Sequence, residues 1–202
     1  MEHTILDTLN PDVAILPLHM DRLKALDKED LGFVRKKVAL LLKQQGANPT
    51  DDYLDRGILA LKQYYAVAIL DAANAHAISQ AIDPFWHAHL LFTERYQEFC
   101  ERTAGYLMSH EPLDFEHQGQ VNHAMALYGY TLEVLGPRMK LDPEFWTPMS
   151  LESVMCSHVD SIQPENPLHT TSLNPKADWR VIWPRLSESL QVAFSTGTFQ
   201  IA

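Results

Sequence analysis

A mainly α-helical fold is what this sequence predicts: an irregular bundle of four or more helices, followed by a proline-rich, loop-rich C-terminal lobe. Three observations predict it. Apolar residues recur at three- and four-residue spacing through most of the chain before Leu141. Asp, Thr, Pro and Gly stand where such runs begin and end. Beyond Leu141 the periodicity gives way to prolines at 143, 148, 164, 167, 175 and 184. With 202 residues, 46% of them apolar and 21% charged, the chain is long enough for one packed domain. Its helical core is expected over about residues 19–148 and its lobe over about 149–202.

Residues up to about 18, with Pro11 and Pro17, read as an irregular arm. Asp27 is expected to cap a first helix whose buried stripe is Leu31, Val34, Val38, Leu41 and Leu42, ended by Gly46 and Pro49. Thr50 is placed to cap a second, longer helix with the stripe Leu54, Ile58, Leu61, Tyr65, Ala68, Ala72 and Ala75. The small residues at its far end suit close approach to another helix. Asp83-Pro84 begins a third helix, because Asp accepts from first-turn amides and Pro fits the first helical position. Phe85, Phe92, Tyr96 and Phe99 form its apolar face, and it should stop near Gly105. After the loop MSHEPLDFEHQGQ, a fourth helix carries Val121, Met125, Tyr128, Leu132 and Leu135 and stops at Gly136-Pro137. In the lobe, 185–192 suits a short helix, and the end of the chain suits a β-hairpin turning at Ser195-Thr196-Gly197.

The formal net charge is -10, from 16 Lys+Arg against 26 Asp+Glu, so a phosphate backbone is repelled and no nucleic-acid partner is expected. Arg35-Lys36-Lys37 reads as the solvated face of a helix. No apolar run reaches membrane-spanning length, so no membrane partner is expected. The first residues, MEHTILDTLNPD, lack the pattern of a secretory signal, and a cytoplasmic location is the expectation. The two cysteines, Cys100 and Cys156, form no CxxC pair. Cys100 reads as a packing residue; Cys156 with His158 is a weaker candidate for a nucleophile pair. GxSxG, GxGxxG, HExxH and a P-loop are all absent.

Chemistry concentrates in IDPFWHAHLLFTERYQEFC, residues 82–100. Six of the ten histidines fall between residues 76 and 123. On a helix, residues two apart point to nearly opposite sides, so His87 and His89 belong to different faces. His89 shares the aromatic side with Phe85, Phe92 and Tyr96 and reads first as a buried imidazole bonded to a neighbour. His87 shares its side with Asp83, Glu94 and Glu98, which suits a mixed nitrogen–oxygen metal site as well as a solvated surface. Asp83 has two competing roles, helix cap and metal ligand. His110, just past the helix, is the better partner for His87, and His76 could meet it across the turn at Ala81-Ile82. Trp86 reads first as a core residue with one acceptor for its indole N–H, or as a pocket wall together with Tyr96. His123 and the remaining histidines read as surface or interface.

The segment IDPFWHAHLLFTERYQEFCERTAGYLMSHEP resembles the signature of the glycine-rich domain-containing protein family. The matching positions are Asp83, Trp86, His87, His89, Tyr96, Gly105 and His110, with Tyr128, Thr131, Gly136, Trp146 and Pro148 downstream. The resemblance covers roughly residues 55–150, and the glycine-rich tail is absent, the whole chain having 8 glycines. It implies no reaction, but it does imply that Asp83, His87 and His110 belong to one site. The expectation is therefore a protein binding a transition metal, zinc or iron, through His87, His110 and Asp83, with His76, His89 and Glu94 as further candidates and Trp86 and Tyr96 lining the pocket. It could act as a metal-dependent enzyme on a small molecule or peptide. The alternative is a non-catalytic interaction module, with a protein partner, in which the Trp–His helix is structural. A purely structural Trp–His core is the third reading.

Overall fold

The computed structural model describes residues 4–111, 118–147 and 159–162, with side chains at 4–109 and 124–147. Six helices and three short strands occur among them: α1 (Pro17–Asp27), α2 (Gly32–Gln44), α3 (Asp51–Leu70), β1 (His76–Ala77), α4 (Asp83–Leu90), α5 (Thr93–Thr103), β2 (Met108–Glu111), α6 (Gln118–Leu135) and β3 (Val159–Ile162). The fold is mainly helical, as the spacing of apolar residues predicts.

At the centre lies α3, which packs against α1, α2, α4 and α6. Its first turns are amphipathic, but from Ala60 to Ile69 every residue except Lys62 is buried. A helix that is apolar nearly all round is an interior helix. Thr50 caps it as expected, accepting the Tyr53 N–H at 3.1 Å. Gln63, a buried polar residue in this run, is satisfied on both sides: its amide donates to the Lys140 carbonyl at 2.9 Å, and its carbonyl accepts from Trp146 Nε1 at 2.8 Å. Those two bonds fasten the segment after α6 to the middle of α3. Gly57 lets α4 come close. A Cβ there would lie 2.1 Å from Cζ of Phe85, well inside van der Waals contact.

Gly46 and Gly105 close α2 and α5 with φ of +85° and +84°, the left-handed geometry that favours glycine after a helix. α6 reaches Leu135, immediately before the expected Gly136-Pro137 stop.

Several boundaries differ from the sequence expectation. Asp27 ends a helix rather than starting one. The expected irregular arm contains a 3-10 turn at Leu6–Thr8 and the start of α1, with Pro17 as the first helical residue. A proline reads as a helix breaker, yet at this position its missing N–H costs nothing. The arm is also fastened: Asn10 N–H donates to the Arg138 carbonyl and Lys140 N–H to the Thr8 carbonyl, both at 2.8 Å. The expected third helix is two helices. Phe92 leaves the helical region, with φ -103° and ψ 60°, and its ring packs edge-on against Phe33 at 4.9 Å. Phe85 and Phe92 are two turns apart, so apolar spacing alone reads straight through that break.

The strands are an addition to the predicted elements. They form one antiparallel sheet in the order β1-β3-β2. His76 pairs with Asp160, and Asp160 pairs in turn with His110. Strands of two to four residues carry too little alternation to be read as such. The expected helix at 185–192 and hairpin at 195–197 lie outside the described residues, as does most of the lobe.

Candidate functional site

α4 begins at Asp83, with Ile82 as its N-cap residue and no side-chain cap bond. The capping role expected of Asp83 falls instead to Ser79, whose carbonyl accepts from Asp83 N–H at 3.0 Å and whose Oγ accepts from Ile82 N–H at 3.3 Å. Asp83 is the first helical residue, and Pro84 follows where no N–H is needed. Its carboxylate faces along the helix: Oδ2 lies 3.4 Å from Nδ1 of His87, one turn on. The Asp83 side chain is largely buried, whereas the His87 side chain is 45% exposed. This pair therefore has one enclosed member and one reachable from solvent.

Between the two in sequence stands Trp86, fully buried. The indole N–H of Trp86 donates to the Tyr96 hydroxyl at 3.1 Å, and Tyr96 donates onward to the Met108 carbonyl at 2.7 Å. Trp86 also packs on Tyr64, with ring centroids 5.3 Å apart. The bond chain ties α4 to α5 and α5 to β2, the strand that holds His110 two positions after Met108. Glu94 lies in the first turn of α5 and is exposed; the break at Phe92 removes the two-turn relation to His87 on which its candidacy rested.

His89 lies in a box of rings. Phe33, Tyr65, Tyr96 and Phe99 surround it with centroid distances of 5.5, 5.8, 5.1 and 4.9 Å. Nδ1 meets the Tyr65 hydroxyl at 2.9 Å, and Nε2 has no hydrogen-bond partner among the described residues. Burial pushes its pKa down to about 4, so the ring is neutral at pH 7.

His76 does not approach α4 by any described contact. It sits on β1, 3% exposed, stacked on Tyr130 at 5.3 Å and 12°. Its Nε2 lies 3.3 Å from Oδ2 of Asp71, and its Nδ1 lies 3.2 Å from Thr131 Oγ1. Asp71 also accepts from Asn74 Nδ2 at 2.7 Å and from the Tyr130 hydroxyl. Burial alone would raise the Asp71 pKa, but the hydrogen bond and charge of His76, helped by Tyr130 and Asn74, hold it below the usual carboxylate value. Sequence reasoning misses this group. The available signal is Asp71, Asn74 and His76 within six positions at the end of an apolar helix. Tyr130 and Thr131 lie more than fifty residues on and give no local hint.

Among the described side chains, no three His, Cys, Asp or Glu residues form a metal-sized group. Each of the two imidazole–carboxylate pairs is two donors. Cys100 is buried. Cys156, His158 and the side chain of His123 lie outside the described residues. A cleft of about 610 Å³ lies elsewhere, between the α1–α2 turn and α3. Within its lining Arg35 pairs with Asp55, and Lys62 donates to the Asp27 carbonyl. No helix among the described residues is long and apolar enough to cross a membrane.

Residues 31–127 match the model of an uncharacterised family, UCP032817-like. The stretch runs from the N-cap of α2 into α6 and includes both imidazole–carboxylate pairs. This corrects the resemblance to the glycine-rich domain-containing family, since the matching family is a different one. The Asp-x-x-Trp-His pattern misleads for a physical reason. Asp83 and Pro84 open a helix, and Trp86 and Tyr96 bind each other in the core. Such packing chemistry is not specific to one family. No curated protein and no solved structure matches the chain. Over just under half of its length, the chain is similar to the UCP032817-like family.

Proposed function

We propose that this chain binds a transition metal, zinc or iron, on α4, with Asp83 and His87 as ligands and His110 as the third. One observation carries the reading: Asp83 Oδ2 and His87 Nδ1 are 3.4 Å apart on one side of a helix. Two donors each about 2.1 Å from one ion at a tetrahedral angle are about 3.4 Å apart. The exposure of His87 gives an ion access and leaves a position for water or substrate. The Trp86–Tyr96–Met108 chain supports the inclusion of His110, because it anchors that strand to the helix bearing the pair.

An ion held by one carboxylate and two imidazoles keeps an open position. It can acidify a bound water for hydrolysis of a small molecule or peptide, or take a redox substrate if the metal is iron. The competing reading, an interaction module organised by the Trp–His helix, has less support. Trp86 is fully buried and offers no surface to a partner.

Metal analysis of the full chain purified without an affinity tag tests the proposal. Bound zinc or iron that is lost in His87→Ala and in His110→Ala upholds it. Protein that takes up none of zinc, iron, copper or manganese overturns it and leaves the interaction module.

A further inference from the structure

Three of the described arginines show how this chain neutralises a guanidinium. Arg102 grips Glu29 with its Nε–Nη2 edge, at 3.0 and 2.9 Å. Arg35 turns the same edge to Asp55 and Asp51. Arg56 spreads over Asp52, Asp142 and Glu144. Arg22 on α1 and Arg138, just past α6, pair with no carboxylate among the described residues. Each spends Nη1 on a backbone carbonyl at a helix C-terminus, Arg22 on Ala104 after α5 and Arg138 on Val134 in the last turn of α6. Those bonds orient both guanidiniums and leave their Nε–Nη2 edges without a hydrogen-bond partner among the described residues. That edge is the two-donor fork that suits a carboxylate or a phosphate. In a chain of net charge -10, two such open forks are an exception.

The two forks belong to one place. Arg22 follows His19 by one turn of α1, so the two are neighbours on its surface. Asp21, the adjacent carboxylate, pairs with Lys24 at 3.5 Å instead. The arm brings Arg138 to the start of the same helix. Asn10 donates its N–H to the Arg138 carbonyl at 2.8 Å and its side-chain amide to the Pro137 carbonyl at 3.1 Å, and Pro17 opens α1 soon after. Burial first, and then the charges of Arg22 and Arg138, push the His19 pKa below its usual value, so the ring is neutral at pH 7. It makes no hydrogen bond among the described residues and keeps one N–H to donate. All three residues are half-buried. We infer that His19, Arg22 and Arg138 form a binding site for the phosphoryl group of a small ligand, separate from the pair on α4. Charge selects the class. Two guanidiniums and a neutral imidazole carry two positive charges, and a phosphate monoester carries about -1.5 to -2 at pH 7. A single carboxylate leaves one guanidinium unbalanced. The acceptor oxygens of a phosphoryl group are enough for both forks and the His19 N–H.

Titration of the tag-free, metal-stripped full chain with inorganic phosphate and with phenyl phosphate tests this, followed by NMR of arginine Nε–H and histidine ring signals at pH 7 and constant ionic strength. Acetate is the control anion. Because the protein carries no metal, the outcome is independent of the α4 proposal. Saturable shifts of the His19, Arg22 and Arg138 signals are expected in the wild type, a reading that needs no substitution. Affinity should fall about ten-fold or more in Arg22→Gln and in Arg138→Gln. Arg138→Lys, which keeps the charge and loses the fork, should bind more weakly than wild type and more tightly than Arg138→Gln. Saturation by phenyl phosphate upholds the inference and assigns the site to an ester; saturation by inorganic phosphate alone upholds it and assigns the site to the free anion. Shifts that grow linearly without saturating, saturation by acetate at equal affinity, or unchanged affinity in both glutamine variants would each overturn it.

Discussion

Trp86 and Tyr96 are joined by a buried hydrogen bond of 3.1 Å, and the same Tyr96 hydroxyl gives its own proton to the Met108 carbonyl. One oxygen thus holds two helices and a strand in register. Tyr96→Phe removes only that oxygen, and it takes a partner from a buried N–H and from a buried carbonyl together. The expected loss is about 1–3 kcal/mol or somewhat more, seen as a lower urea midpoint with an unchanged slope. Wild-type stability in Tyr96→Phe would show that the tether is not needed.

Burial of His89 makes stability depend on pH in a defined direction. Its folded pKa is about 4 against an unfolded value of 6.5, so between those values the unfolded chain binds the extra proton. Stability is therefore full above about pH 6.5 and falls as the pH drops toward 4, by about 3 kcal/mol from this group. His89→Phe, which keeps a ring in the aromatic box, should flatten that part of the curve relative to wild type. The difference between the two unfolding series at pH 7.5 and pH 4.5 is the measurement. Identical pH slopes would remove His89 as the cause.

Gly57 is required by Phe85. With 2.1 Å between an added Cβ and the ring, Gly57→Ala forces α3 and α4 apart or turns Phe85 off its rotamer. Overpacking of this kind costs about 1–3 kcal/mol, more than the helix-propensity gain of about 1 kcal/mol for Gly to Ala. Phe85→Leu should recover part of the loss in the double variant. Additive losses in a double-mutant cycle would mean that the clash is relieved elsewhere.

Ser79 rather than Asp83 tends the start of α4, and Asn keeps the size and hydrogen-bonding oxygen of Asp, so Asp83→Asn should leave the melting temperature of metal-free protein nearly unchanged. As a ligand its charge matters, and the same change should weaken zinc binding on α4 by about 10-fold or more. Calorimetric titration of wild type and Asp83→Asn decides this. Equal affinities would take Asp83 out of the proposed ligand set.

Much of the helical framework was determined by the sequence alone. The stripes of α2, of α3 as far as Ala68 and of α6 from Met125, the Thr50 cap and the glycines at 46 and 105 are local features, set by neighbours within about one or two turns, and each stands close to where the spacing places it; the expected continuation of α3 to Ala72 and Ala75 is cut off at Leu70. The pairing of Asp83 with His87 is equally local, because a four-residue separation on a helix puts two side chains on one face. Tertiary structure decided the rest. The split between α4 and α5 depends on Phe33 of α2 receiving the Phe92 ring, a contact across fifty-nine positions that no helical period encodes. Ser79, rather than Asp83, tends the start of α4 because the turn before it folds under the helix end. The environment of His76 is assembled from α3, β1 and α6, and its cross-strand partner Asp160 arrives from a strand more than eighty residues away. Residue types and helical spacing are written along the chain, but which histidine meets which carboxylate across elements is set by how those elements pack, and packing is a property of the whole core.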